Sequence, residues 1–263
     1  MGQGDVDLNS FVRLPYSNRD VSQVSRFIIG QPLPKDLEDI LDLMEGRASL
    51  FHVKLKSGEE LLVKPYVSTA ESDVISRLCD SEMSPVLGFN DHYFAEGRIR
   101  IPSIDRAIES KATFLDYVSG LFGRALYLLH SREIGYNGRF NNHVFADDIT
   151  KKVKISNFSR ARITQEPAAL HVDVIAALMY LEALAQMHNI EDKTFFAAIR
   201  NFKSSYAIDD RSERVWNIAS TYCLFVESST LIGKALNMLL PPPPRIIYPA
   251  SDHGNGGRPR PRF

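Results

Sequence analysis

The chain has 263 residues, 44% of them hydrophobic and 24% charged, and a net charge of −1 at neutral pH. That length suits one large domain or two closely associated lobes, and the charge balance excludes a global basic field for nucleic acid. Cys79 and Cys223 lie far apart. They form neither a metal motif nor a disulfide framework, and buried free thiols are expected. The first residues are polar and acidic, without the apolar stretch of a secretory signal. Val6 stands where a myristoylation motif needs Ser or Thr. Apolar runs such as Val174–Leu181 are too short to span a bilayer. The expectation is a cytoplasmic protein with no nucleic-acid or membrane partner.

Residues 1–25 read as an irregular lead-in. Leu37, Ile40, Leu41 and Met44 recur at helical spacing behind Pro34, predicting a short amphipathic helix over Leu33–Met44 that Gly46 stops. Ser49–Lys64 holds two β-rich runs around Lys56-Ser57-Gly58-Glu59 and predicts a hairpin ended by Pro65. Thr69–Leu78 predicts a helix with Val74, Ile75 and Leu78 on one face. A second hairpin is expected from Val86–Phe94 and Arg98–Ile104 around Glu96-Gly97.

From Ala112 the period becomes helical, with Phe114, Leu115, Val118, Leu121, Phe122, Ala125, Leu128 and Leu129 on one face. Val144-Phe145 and Val153–Ile155 predict a third, short hairpin. Val172–Met187 predicts a strongly apolar helix, central and buried. Lys193–Phe202, Trp216–Val226 and Leu231–Leu240 predict further helices. Beyond Pro241 come four consecutive prolines and Arg258-Pro259-Arg260-Pro261-Arg262. Such a segment cannot bury a core, and it is expected to be disordered or a docking tail for a partner. The chain thus divides into a lead-in and helix (1–45), a β-rich part (46–104), a helical part (105–240) and a Pro/Gly/Arg-rich tail (241–263). The fold class is α+β.

Several segments resemble protein kinases in order and spacing, over roughly residues 46–240. The run Phe51-His52-Val53-Lys54-Leu55 followed by Leu61-Leu62-Val63-Lys64 resembles the strand pair carrying the phosphate-binding lysine. Leu129-His130-Ser131 closes a long helix, and Asn137–Phe145 falls where the catalytic loop belongs. Val153-Lys154-Ile155-Ser156-Asn157-Phe158-Ser159 resembles the strand and magnesium motif that usually ends Asp-Phe-Gly. Asp173–Leu178 resembles the Asp-led start of the central helix.

The resemblance implies a two-lobed protein-kinase-like fold, with a β-rich N-lobe and a helical C-lobe. It implies that Lys64 holds nucleotide phosphates and that a helix carboxylate, Glu71, pairs with Lys64; Asp73 and Glu82 are the competing carboxylates. Asp173 would receive backbone N–H groups from the catalytic loop and fix that loop.

The departures are chemical. Counting from Leu129-His130-Ser131 without gaps puts Gly138 at the catalytic Asp and His143 at the metal-binding Asn; a one-residue shift puts Arg139 at the Asp. Glycine cannot act as a base and arginine stays protonated. Asn157 stands at the magnesium Asp, as a weak metal or phosphate ligand or as a turn residue. Asn141 and Asn142 could replace the missing Asn ligand or form turns, and Asp147 and Asp148 read as turn residues. No metal site is expected, and no catalytic residue survives in the degenerate loop Asn137, Gly138, Arg139, Asn142 and His143. Losing the base while weakening the metal site is hard to rescue, because phosphoryl transfer is mainly positioning and charge neutralisation. The resemblance therefore implies a pseudokinase with a regulatory or scaffolding role, a protein partner, ATP bound weakly at most and magnesium weak or absent. The alternatives are an active divergent ATP-dependent phosphotransferase and an unrelated α+β module.

Overall fold

The computed structural model describes residues 6–29, 47–79, 81–98, 103–107, 114–147, 152–226 and 230–239. The predicted helix Leu33–Met44, Gly46, Asp148 and the tail 241–263 lie outside them.

A five-stranded antiparallel sheet opens the chain, in the order β1-β2-β3-β5-β4. Its strands are β1 (Val21–Ile28), β2 (Ser49–Leu55), β3 (Glu60–Pro65), β4 (Val86–Phe89) and β5 (Tyr93–Gly97). The β2–β3 hairpin forms as the sequence predicts. Gly58 takes φ +88° in the turn, a region where a side chain would be strained.

Two strand expectations need correction. The described lead-in is irregular only as far as Asp20: short 3₁₀ turns at Leu8–Ser10 and Asn18–Asp20 lead into β1, which pairs with β2 from Val21–Leu55 to Ile28–Ser49. β1 is an edge strand rich in Ser, Gln and Arg, so its apolar alternation is thin. A division at residue 45 therefore cuts through the sheet. The second hairpin turns at Asn90–His92 rather than at Glu96-Gly97. Asn90 Oδ1 accepts the N–H groups of His92 (2.9 Å) and Tyr93 (2.8 Å), an Asx turn that fixes the reversal. Glu96 and Gly97 lie inside β5, and Ile104 opens a short helix, α2 (Ile104–Ala107), rather than ending a strand.

Strand alternation gives the sheet two faces. Phe51, Val53, Leu55, Leu61, Val63 and Ala95 face outward and pack under Leu8 and Phe11 of the lead-in. Val12 bonds to Phe89 across an isolated bridge, tying the lead-in down. The opposite face carries His52, Leu62, Lys64, Phe94 and Glu96 and is crossed by α1 (Thr69–Leu78), whose Ser68 side chain caps the N–H of Glu71 at 3.1 Å.

The rest is helical. α3 (Phe114–Ser131), α4 (Pro167–Met187), α5 (Asp192–Tyr206), α6 (Asp210–Val226) and α7 (Leu231–Leu239) enclose one continuous core with the inner side of α1. α3 and α5 approach closely, since a Cβ on Gly123 would run into the Phe202 carbonyl. Between α3 and α4 lie the hairpin β7 (Val144–Asp147) and β8 (Lys152–Ile155), and the short pair β6 (Ile134–Gly135) and β9 (Arg162–Ile163).

α4 begins five residues before the predicted start, with Pro167 in the first turn where a missing N–H costs nothing. It is the one helix among the described residues long and apolar enough to cross a membrane, and half of its most apolar window is buried inside the protein. One side of it is buried in the core, through Leu170, Val174, Leu178 and Leu181, while Val172, Met179 and Met187 are exposed. Both cysteines are buried free thiols, as expected.

Candidate functional site

The sequence-predicted site residues fall into three groups. The first is built on Asp173, in the second turn of α4. Its Oδ2 accepts the N–H of Tyr136 at 2.6 Å and its Oδ1 accepts that of Asn137 at 2.8 Å. His130, in the last turn of α3, puts Nε2 3.2 Å from Asp173 Oδ2 and Nδ1 2.6 Å from the Tyr206 hydroxyl of α5. The buried carboxylate is thus satisfied from three directions, as a buried charge must be. Burial, then the Asp173 charge, pushes the Tyr206 hydroxyl well above its usual range, so it stays protonated. Asp173 thus holds the start of the 136–143 loop through two backbone N–H groups.

That loop bends sharply. Asn137 and Asn142 have φ of 51° and 60°, a left-handed conformation Asn tolerates better than most residues. Gly138 lies beneath the ring of Tyr136: a Cβ there would meet Cε1 at 2.6 Å and Cζ at 2.8 Å. The Tyr136 ring is fully buried, stacks on Phe140 (centroids 4.7 Å apart, planes 15° apart) and meets Phe158 edge-on. Its hydroxyl donates to the Ser156 carbonyl at 2.8 Å, with the Arg139 carbonyl at 3.2 Å. Arg139 points to solvent.

The second group is His143 and Asn157, which the fold brings side by side. Asn157 sits at φ 62°, and its Oδ1 accepts the Ser159 hydroxyl at 2.7 Å. Its amide nitrogen lies 3.1 Å from His143 Nε2. Nε2 therefore accepts, which assigns the Nδ1–H tautomer; Nδ1 lies 3.4 Å from Ser156 Oγ. The Asn157 oxygen that a cation would need is already bonded, and the neighbouring donor is a nitrogen. This pair does not fit a hard divalent cation, which takes oxygen ligands. Among the described residues no three His, Cys, Asp or Glu side chains gather as a metal site. Asn141 and Asn142 are exposed, and the Asn142 backbone N–H donates to Asp105 at 3.0 Å.

The third group lies under the sheet, and here the predicted pairing is replaced. Lys64 is fully buried, with Nζ 2.7 Å from Oε2 of Glu96 on the neighbouring strand. Glu71 pairs with Arg47, just before β2, not with Lys64. Its other oxygen accepts the Val67 N–H at 2.8 Å. Arg47 Nε donates to the Pro65 carbonyl at 3.0 Å, and its guanidinium lies over the Phe94 ring, 5.2 Å from the centroid. The physical reason is reach: α1 starts four residues after the end of β3, so its first turn lies over the Arg47 side of Pro65. On the same face Arg98 pairs with Glu60 at 2.6 Å, and His52 Nε2 lies 3.4 Å from Glu60. Burial, helped by the Arg98 and Lys54 charges, lowers the His52 pKa despite Glu60, so the imidazole is held neutral. Asp73 is exposed on α1, and Glu82 pairs with Lys152 at the surface.

Sequence reasoning missed Arg47, Glu96 and Tyr136. Arg47 carries no local signal. Glu96 was read as a turn residue, and its place in β5 would have put it two residues from Phe94 on the Lys64 face. Tyr136 stands one residue before the run Asn137–Phe145 singled out in the sequence. Comparison of the chain with family models and with curated proteins finds no match.

Proposed function

We propose that the protein is a kinase-like pseudokinase that works by presenting its surface to another protein and binds ATP weakly at most. Several features support this reading. Lys64 lies on the third strand of a five-stranded sheet, and the helix that follows carries a buried Glu71, the order in which kinases set the phosphate lysine and its helix carboxylate. A loop pinned by Asp173 leads into Gly138, and His143 and Asn157 meet where two metal ligands would be needed. The observation that carries the reading is Gly138 beneath the Tyr136 ring: the catalytic-base position has no side chain, and the space for one is filled. No feature of the site favours the active phosphotransferase.

A role in protein binding draws on α6, which exposes Ile218, Tyr222, Val226 and Phe225, the last 91% accessible. Contiguous exposed apolar side chains mark interaction surfaces more often than random surface. The test is thermal stability with ATP, with and without Mg²⁺, for the native protein and Lys64→Ala, alongside an ATP turnover assay. A ligand at about 100 times its Kd would stabilise by about 2.7 kcal/mol, so weak binding gives a small, magnesium-independent shift. Magnesium-dependent turnover that disappears in Lys64→Ala would replace this reading with the phosphotransferase.

A further inference from the structure

The outer face of the sheet, on the side away from Lys64, carries a cleft of about 330 Å³, at the lower end of the range for small-molecule sites. Its apolar walls are Phe11 of the lead-in, Phe51 of β2 and Tyr93 of β5, and the Phe51 and Tyr93 rings meet edge-to-face, 5.9 Å apart. The fold fixes these walls. Val12 and Phe89 exchange both backbone hydrogen bonds, at 2.7 and 3.2 Å, and the Asn90 side-chain amide donates to the Ser10 hydroxyl at 2.9 Å. A ligand therefore does not have to order the rim, which lowers the cost of binding. β1 supplies the charge. Arg26 stands opposite Phe51 in the β1–β2 register, and its guanidinium lies over the Phe51 ring, 5.6 Å from the centroid. A cation–π contact engages none of its N–H donors. Among the described residues Arg26 has no ion-pair partner, and the Tyr93 hydroxyl has no hydrogen-bond partner. The carboxylate in the lining, Asp7, is engaged elsewhere: its Oδ1 accepts the N–H of Asn9 at 3.1 Å and the side-chain amide of Asn18 at 2.8 Å.

We propose that this cleft binds a small aromatic carboxylate. Its ring packs against Phe11 and Tyr93, and its carboxylate takes the free N–H donors of Arg26, a planar fork that matches carboxylate geometry. The Tyr93 hydroxyl is a further donor on the same wall. Asp7 selects a monoanion: one guanidinium in a lining that also holds a carboxylate does not compensate the second charge of a phosphate monoester. Three aromatic walls favour a flat apolar body over a bare inorganic anion. The sheet separates the cleft from Lys64, so this site is independent of the proposed function.

Phenylacetate is the probe, titrated into the full chain and followed by ligand-observed NMR. It should bind with a Kd of about 1 mM or tighter, as an efficient ligand of its size does. Phenylacetamide has the same shape without the charge, and should bind at least about tenfold more weakly because the charged hydrogen bonds are lost. Phenylacetate should lose a similar factor, about tenfold, on Arg26→Gln, and about threefold on Tyr93→Phe. Arg26 is exposed on an edge strand, so Arg26→Gln should melt within about 2 °C of the native protein. The amide comparison uses the native protein and decides the matter even if that variant is unstable. Phenylacetate that does not bind, that binds Arg26→Gln as tightly as native, or that is matched by its amide overturns the proposal. Inorganic phosphate displacing phenylacetate at equal concentration also overturns it, since the cleft would then take anions without regard to the ring.

Discussion

Replacing Gly138 with alanine tests whether the space beside it is closed. The backbone at 138 has no positive φ, so alanine incurs no backbone strain. The cost comes from the new methyl, 2.6 Å from Tyr136 Cε1, against a ring held between Phe140 and Phe158 and bonded through its hydroxyl to the Ser156 carbonyl. Overpacking a tight interior typically costs about 1–3 kcal/mol, and loosening one buried hydrogen bond adds about 1 kcal/mol. The expected loss is therefore about 3 kcal/mol, or roughly 6–12 °C in melting temperature for a chain of this size. The clashing atoms lie far out on the tyrosine ring, so in a Tyr136→Leu background the same substitution should cost less than about 1 kcal/mol, a coupling typical of side chains in contact. Urea denaturation of the four proteins measures it. Gly138→Ala as stable as the native protein, or a cost unchanged by Tyr136→Leu, would refute the picture of a filled position. Gly138→Asp should lose at least as much stability and gain no ATP turnover.

Three further outcomes follow from the same geometry. Asp173→Asn offers one acceptor oxygen where two N–H groups and His130 converge, so it should cost about 3 kcal/mol, the scale of hydrogen bonds to a charged group plus one buried N–H left unmet, measured by urea denaturation. His52 titrates below its ordinary pKa of about 6.5 in the folded protein. The unfolded chain binds more protons between the two values, so its contribution is complete above about pH 6.5 and is lost as pH falls toward the folded pKa. Melting curves of His52→Gln should show a smaller loss of stability over that acid window than the native protein. Phe225→Ser, on a side chain 91% accessible, should change stability by less than about 0.5 kcal/mol while reducing capture of a binding partner; a large drop in stability would show that the phenylalanine is structural.

Element type was largely legible in the chain because periodicity reflects local geometry. The β2–β3 turn with Gly58, α1 with its Ser68 cap and the long apolar face of α3 each follow from interactions between residues a few positions apart. The same logic failed where the signal was weak or local chemistry competed. β1 is an edge strand with thin alternation, and the Asn90 side chain decided where the β4–β5 chain reverses.

The sequence by itself determined which functional groups are present: no carboxylate at 138, 139 or 157, an aspartate at 173 and lysine at 64. Which groups meet was decided only by tertiary structure. The identity of a charged residue does not say which opposite charge lies within reach, since that depends on strand register and on where a helix starts. So Lys64 faces Glu96 across β3 and β5, Glu71 faces Arg47, and the Tyr136 ring folds over a glycine two residues away. Burial then fixes these meetings, because a charge or hydroxyl removed from water must keep whichever partner the fold supplies.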